Sequence, residues 1–295
     1  MASRIKLTSV AAAAVRKAYW RLAADLGGPA RALTMRSKRV PAFTALPTAI
    51  KVGDSEAGAK ILAGEFTLGS QTLNVGLNGD PWAAASPSQA FADRLHSFNW
   101  LFDVAKLAGD PKALKKDPKL TGYCQSRSCA IIDGWSREFG KWNPYAWQPE
   151  LLTARIFAWL ANWQVLLDGD RDEPSGAARR SQIMRQIGRL RAVYKRTPPG
   201  IVRMKAAACF VIAGACLPGQ QERYLDRGLD WLDDEIDLQI LADGGHISRA
   251  PEDVAKALHI LLTTEAALEA RGQEGSKEIR RAIDRLTPML NFFTA

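Results

Sequence analysis

From Ser88 onward, apolar residues recur at three- and four-residue spacing almost to the end of the chain, a period that predicts helices. The pattern places them at 88–108, 122–140, 148–168, 176–196, 200–216, 220–240, 252–271 and 276–293. Leu151, Ile156, Trp159, Leu160, Trp163 and Leu166 show the spacing within one of them. Turn chemistry bounds most of these segments: Asn143-Pro144, Gln148-Pro149, Pro198-Pro199-Gly200, Leu217-Pro218-Gly219 and Asp243-Gly244-Gly245. Pro251 suits a first helical turn, where a missing N–H costs nothing. Before Ser88 the period changes. Phe66 to Leu68 and Leu73 to Val75 alternate apolar and polar, punctuated by Gly64, Gly69 and Gly76, which predicts a short β-hairpin.

Connections this short favour antiparallel neighbours. Helical hairpins in series stack into a bundle, a solenoid or a closed toroid, and the lack of a fixed-period repeat counts against the named solenoid families. The chain divides into a basic N-terminal helical arm (1–40), an extended segment with the hairpin (41–87) and a helical domain (88–295).

Charge alters this picture only locally. The chain of 295 residues carries a formal +9, but residues 1–39 hold nine bases and one acid, or +8 of it. The remainder is nearly neutral, which argues against a nucleic-acid-binding body. The arm reads as a helix packed on the body or frayed from it, or as a contact with an anionic membrane surface. It lacks the uninterrupted apolar stretch of a secretory signal, and nothing approaches a membrane span. The compartment is not fixed by the sequence; with no signal evident, a cytoplasmic or cell-envelope-associated place is the expectation. A second basic run, Arg179 to Arg196, reads first as a solvated helix face. The four cysteines have no zinc-ligand spacing and read as small core residues.

Candidate chemistry lies in two loops. Asp243-Gly244-Gly245-His246-Ile247-Ser248-Arg249 puts a histidine and an arginine on a tight polar turn between helices, His246 being exposed enough to act. The alternative role for His246 is to bond backbone groups at the helix junction. Trp142, Tyr145 and Trp147 sit in a second loop, where aromatic rings suit either a sugar face or a hydrophobic plug. His96 and His259 fall within helices and read first as core histidines. There is no GxSxG, P-loop, dinucleotide fingerprint or HExxH, so no cofactor and no metal are expected.

Taken together, several short pieces resemble the N-terminal helical domain of the heparinase II/III-like polysaccharide lyases. They are Gly64-Glu65-Phe66 with Gly79-Asp80-Pro81-Trp82, Leu95-His96-Ser97-Phe98-Asn99-Trp100, Trp142-Asn143-Pro144-Tyr145-Ala146-Trp147, Arg155 with Trp159, Cys216-Leu217-Pro218-Gly219, and Leu241 to Arg249. The resemblance implies a mainly α fold, an incomplete (α/α) toroid. It also implies β-elimination on an acidic, uronic-acid-containing polysaccharide. That chemistry needs a neutraliser for the carboxylate and a base for the C5 proton. His246, Arg249 and Arg155 are the candidates for charge and proton work, with Trp142, Tyr145, Trp147 and His96 lining the cleft. The family's usual tyrosine after the Asp-Gly loop is replaced here by Ala250-Pro251-Glu252-Asp253, and Arg203 and Lys205 stand where an Asn or His is expected. Relatives continue into a β-sandwich, so a partner domain or its homologue is expected to complete the cleft. The alternative is a non-catalytic glycan-binding or envelope-associated scaffold.

Overall fold

The computed structural model describes residues 40–44, 46, 47, 50, 52–169 and 173–294. The basic arm, and with it the membrane-surface reading, lies in residues 1–39, outside the described residues. In chain order the elements are α1 (Ser55–Leu62), β1 (Glu65–Leu68), β2 (Gln71–Asn74), α2 (Gln89–Ser97), α3 (Leu101–Ala108), α4 (Pro111–Lys116) and α5 (Leu120–Phe139). They continue with α6 (Pro149–Asn162), α7 (Pro174–Val193), α8 (Ile201–Cys216), α9 (Asp226–Gln239), α10 (Pro251–Ala270) and α11 (Lys277–Thr294). A wide π turn, Trp163–Leu167, prolongs α6, and another, Gln221–Leu225, leads into α9. Strands β1 and β2 form an antiparallel hairpin with Phe66 opposite Leu73.

The helices form an incomplete (α/α) toroid of antiparallel hairpins. Its inner members are apolar on every side: α8 is buried continuously from Ala206 to Cys216, and α6 nearly so from Ile156 to Asn162. Helix α8 packs against α6, α9 and α10, and α10 in turn against α11. Phe43 is buried against Trp163, with ring centroids 4.6 Å apart, so the segment after residue 40 lies on this wall. No helix among the described residues is long and apolar enough to cross a membrane.

Three local features depart from the periodicity. The helix expected at 88–108 is broken at Phe98, which takes a left-handed conformation (φ 58°). A left-handed residue costs about 1–2 kcal/mol. The turn inserts the fully buried Phe98 ring among Trp82, Trp100, Trp135 and Trp159, and such contacts are worth about 0.5–1.5 kcal/mol each beyond burial. The segment read as extended contains α1, started by Asp54, whose side chain accepts the Glu56 N–H at 2.8 Å. Asp110 starts α4 in the same way, with Pro111 at the first helical position.

Candidate functional site

The break at Phe98 ends α2 beside the aromatic loop and leaves carbonyls at that end without helical partners. Arg155, on the buried face of α6, meets them. Its Nη1 donates to His96 O at 3.3 Å, its Nη2 to Ala146 O at 2.9 Å, and its Nε to Gln186 Oε1 at 2.6 Å. The guanidinium also lies 4.1 Å from the centre of the Trp135 ring. Arg155 is 0% exposed, and burial pulls its pKa down to about 9, which leaves it a cation at neutral pH. It joins the end of α2, the aromatic loop and α7.

His96 is buried beside it. Trp135 Nε1 donates to His96 Nδ1 at 3.2 Å, so the neutral ring carries its proton on Nε2. Rings of Trp82, Phe139 and Tyr145 surround it. Burial first, then the Arg155 charge, lowers its pKa to about 4. In the loop itself, Asn143 Oδ1 accepts the N–H groups of Tyr145 and Ala146 and holds the turn. Tyr145 donates its hydroxyl to Asp93 Oδ1 at 2.6 Å. Trp147 is 1% exposed and donates to Phe139 O at 2.8 Å, so it plugs the end of α5 and lines no open cleft. Trp142 is half-buried under the Arg189 guanidinium, 4.6 Å from its ring centre.

The glycine loop is a separate group, with no hydrogen bond or ring contact to the first among the described residues. Ile240 and His246 pair across it as an antiparallel bridge, and Ile247 N–H donates to Gln239 O at 2.8 Å. The exposure expected for His246 is not found: it is 2% exposed. Gln239 uses its Nε2 on Gly200 O and Glu235 Oε2, which leaves its Oε1 to accept from His246 Nε2 at 3.0 Å. Ser248 N–H donates to His246 Nδ1 at 3.1 Å. Both ring nitrogens are thus engaged, and the lone pair that a general base needs points at the N–H and Oγ of Ser248 in the same loop, the Oγ being 2.8 Å away. Burial lowers the His246 pKa despite the nearby Asp253. Arg249 is exposed and left-handed (φ 58°), and its Nη1 pairs with Asp243 Oδ2 at 3.1 Å.

A third feature escaped the motif reading. Lys205 projects from α8, its Nζ 5.4 Å from the centre of the Phe157 ring, with no acid partner among the described residues. Burial and the neighbouring Lys256 lower its pKa. His259, packed on Phe102 and Phe157, senses the same charge, and its Nε2 is buried without a partner. A partly desolvated cation without a counter-ion suits an anionic group of a ligand. The two cations on α8 were visible in the sequence, but which of them lacked a partner was not. Arg203 is occupied, donating twice to Thr197 O at 3.1 and 2.7 Å. The basic run on α7 is likewise committed in part: Arg179 grips Asp133 at 2.8 and 2.9 Å, and Arg185 donates to Gly140 O. Among the described residues no three His, Cys, Asp or Glu side chains are placed to hold a metal ion.

His96 and His259 both titrate near 4 in the folded chain, against about 6.5 unfolded. The unfolded chain therefore takes up protons first as the pH falls. Their contribution to stability is full above about pH 6.5 and declines toward pH 4, by at most about 1.4 kcal/mol per pH unit per histidine. Urea midpoints across that window are expected to fall less steeply for His96→Gln than for the wild type. Equal slopes would show that His96 titrates in the folded chain as it does in the unfolded one.

Two solved structures illustrate this arrangement of helices. A heparinase III structure matches 89% of this chain at 13% identity with a TM-score of 0.58, over 42% of its own length. The heparan sulfate lyase HepC from Pedobacter heparinus matches 80% of this chain at 17% identity, also at 0.58, over 37% of its length. The chain shares its fold with these lyases. No protein-family model matches the sequence. The FtsZ-localized protein C of Caulobacter vibrioides is 35% identical over 267 residues, which is 90% of this chain and 43% of that protein. The chain thus spans less than half the length of this relative and of the two lyases.

Proposed function

We propose that this chain is a non-catalytic glycan-binding domain of an envelope-associated scaffold, working where FtsZ gathers. The observation that carries this reading is the state of the residues that proton work would require. His246 is locked in its own loop, Arg155 is sealed inside the wall, and Ala250 to Asp253 supply no tyrosine. What is left for binding is the Lys205 ammonium, a half-buried cation with no acid partner among the described residues, suited to a carboxylate or sulfate of an acidic polysaccharide. Likeness to a protein named for its localisation with FtsZ supports the scaffold role.

The second reading is a lyase domain whose missing base comes from a further domain, and the shared fold favours it. The test incubates the protein with heparan sulfate, heparin, hyaluronan and alginate. Binding is followed by calorimetry, and elimination by the ultraviolet absorbance of the conjugated double bond. Expected are binding without absorbance, and an affinity reduced about tenfold in Lys205→Met, the loss of one charge-assisted contact. Absorbance that grows with time would establish the lyase. A fluorescent fusion that fails to coincide with labelled FtsZ in cells would remove the scaffold role.

A further inference from the structure

The turn after α7, Arg203 of α8 and the face of α9 from Trp231 to Leu238 enclose an open pocket of about 480 Å³ whose chemistry is opposite to that of Lys205. Tyr194 and Trp231 stack in one wall, with centroids 4.1 Å apart and planes at 12°. Asp234, Glu235 and Asp237 supply carboxylates, while the Arg203 cation in the lining is turned onto Thr197 O. Lys195 and the exposed Leu238 stand at the rim. Glu235 is 6% exposed; its Oε2 takes the Gln239 amide, and its Oε1 has no hydrogen-bond partner among the described residues. A buried carboxylate half-satisfied and facing a cavity wants a donor from outside. Burial accordingly raises its pKa.

The pocket opens onto a ridge. Asp226, Asp230, Asp234 and Asp237 are exposed at i, i+4, i+8 and i+11 of α9, one face of the helix, and none makes an ion pair among the described residues. At 1.5 Å per residue the ridge is about 16 Å long, with successive carboxylates about 6 Å apart. Alternate side chains of an extended peptide are about 6.8 Å apart, so a strand with a cation at every second position matches the ridge. A monosaccharide spans only one step of it. We propose that the pocket and ridge bind a basic, arginine-bearing segment of a partner protein. A guanidinium satisfies two carboxylates at once and stacks on aromatic rings, and Trp231 already draws that of Arg227 to 5.9 Å. Leu238, exposed at the rim, adds an apolar edge for the segment's uncharged residues. Beneath the pocket, Glu235 joins Gln239 and His246, so the docking site rests on the glycine loop.

The test uses a fluorescein-labelled peptide of alternating arginine and threonine, read by anisotropy against the whole chain. Its controls are the same peptide with citrulline for arginine, and a chitosan oligosaccharide as competitor. Binding is expected for the arginine peptide, weakening as salt rises. The double variant Asp234→Asn with Asp237→Asn alters only exposed, unpaired groups, so its circular dichroism should match the wild type. Its affinity is expected to fall about tenfold or more, and Glu235→Gln should weaken binding as well. Equal affinity of the double variant, equal affinity for the citrulline peptide, or displacement by chitosan would overturn the assignment. None of these readouts depends on whether the Lys205 face binds an acidic glycan.

Discussion

Arg155→Ala is expected to lower the unfolding free energy by about 3–5 kcal/mol, the largest effect of any single change considered in this protein. Truncation leaves three oxygens, His96 O, Ala146 O and Gln186 Oε1, without the donors they now have. A buried polar group left unsatisfied costs about 1–3 kcal/mol. The emptied volume under Trp135 adds a cavity, since the residue is fully buried. Some of the loss is returned, because the charge was buried without a carboxylate, and removing it ends that desolvation cost. Arg155→Lys is expected to rescue little: an ammonium cannot reach three acceptors in the plane of a fork. Urea unfolding followed by circular dichroism measures both. A variant as stable as the wild type that had lost glycan binding would return Arg155 to the site and count against a purely structural role.

The second large effect is expected at Gly244→Ala. Gly244 has φ 82°, a conformation that costs an L residue about 1–2 kcal/mol. An added Cβ would also land on the carbonyl of Arg285, inside van der Waals contact and close to the Met289 Cβ. That carbonyl belongs to α11, so relief requires the loop and α11 to move apart, and overpacking of this kind costs about 1–3 kcal/mol. The sum, about 2–5 kcal/mol, should appear as a Tm lowered by several degrees. It should also appear as faster proteolysis between 240 and 250, because His246 would lose the geometry that bonds both its ring nitrogens. An unchanged Tm would mean that α11 is not seated on the loop. Gly245→Ala makes a useful contrast: its Cβ would meet Asp243 Oδ1 at 3.0 Å, the end of a side chain that can shift.

These two positions explain why the candidate loops look catalytic in sequence. Histidine, arginine, tryptophan and paired glycines are the residues of active sites, and they are equally the residues that close helix ends in an all-helical wall. Arg155 serves carbonyls, His96 accepts from an indole, and His246 bridges Gln239 and the Ser248 N–H. The residues proposed to meet ligands, Lys205 and the group of Glu235, Asp234 and Asp237, carry no motif.

The sequence by itself determined the helical period, the turns that make neighbours antiparallel, and the hairpin at Phe66 and Leu73. All of these follow from local rules: side-chain spacing, proline's fixed φ and missing N–H, and glycine's freedom. It also gave the cysteines as small core residues, and Cys209 and Cys216 are buried in α8. The break at Phe98, the exposure of His246 and the partner of each cation were decided only by the tertiary structure. Phe98 leaves the helix for rings that lie up to 61 residues away in sequence, at Trp159. His246 is buried because Gln239, on the preceding helix, is fixed by Gly200 at the start of α8. Arg203 and Lys205, two residues apart on one helix, differ because one reaches a carbonyl and the other an aromatic ring. Spacing along a chain fixes which face a residue occupies, but a charge is free or engaged according to what the rest of the fold brings to that face.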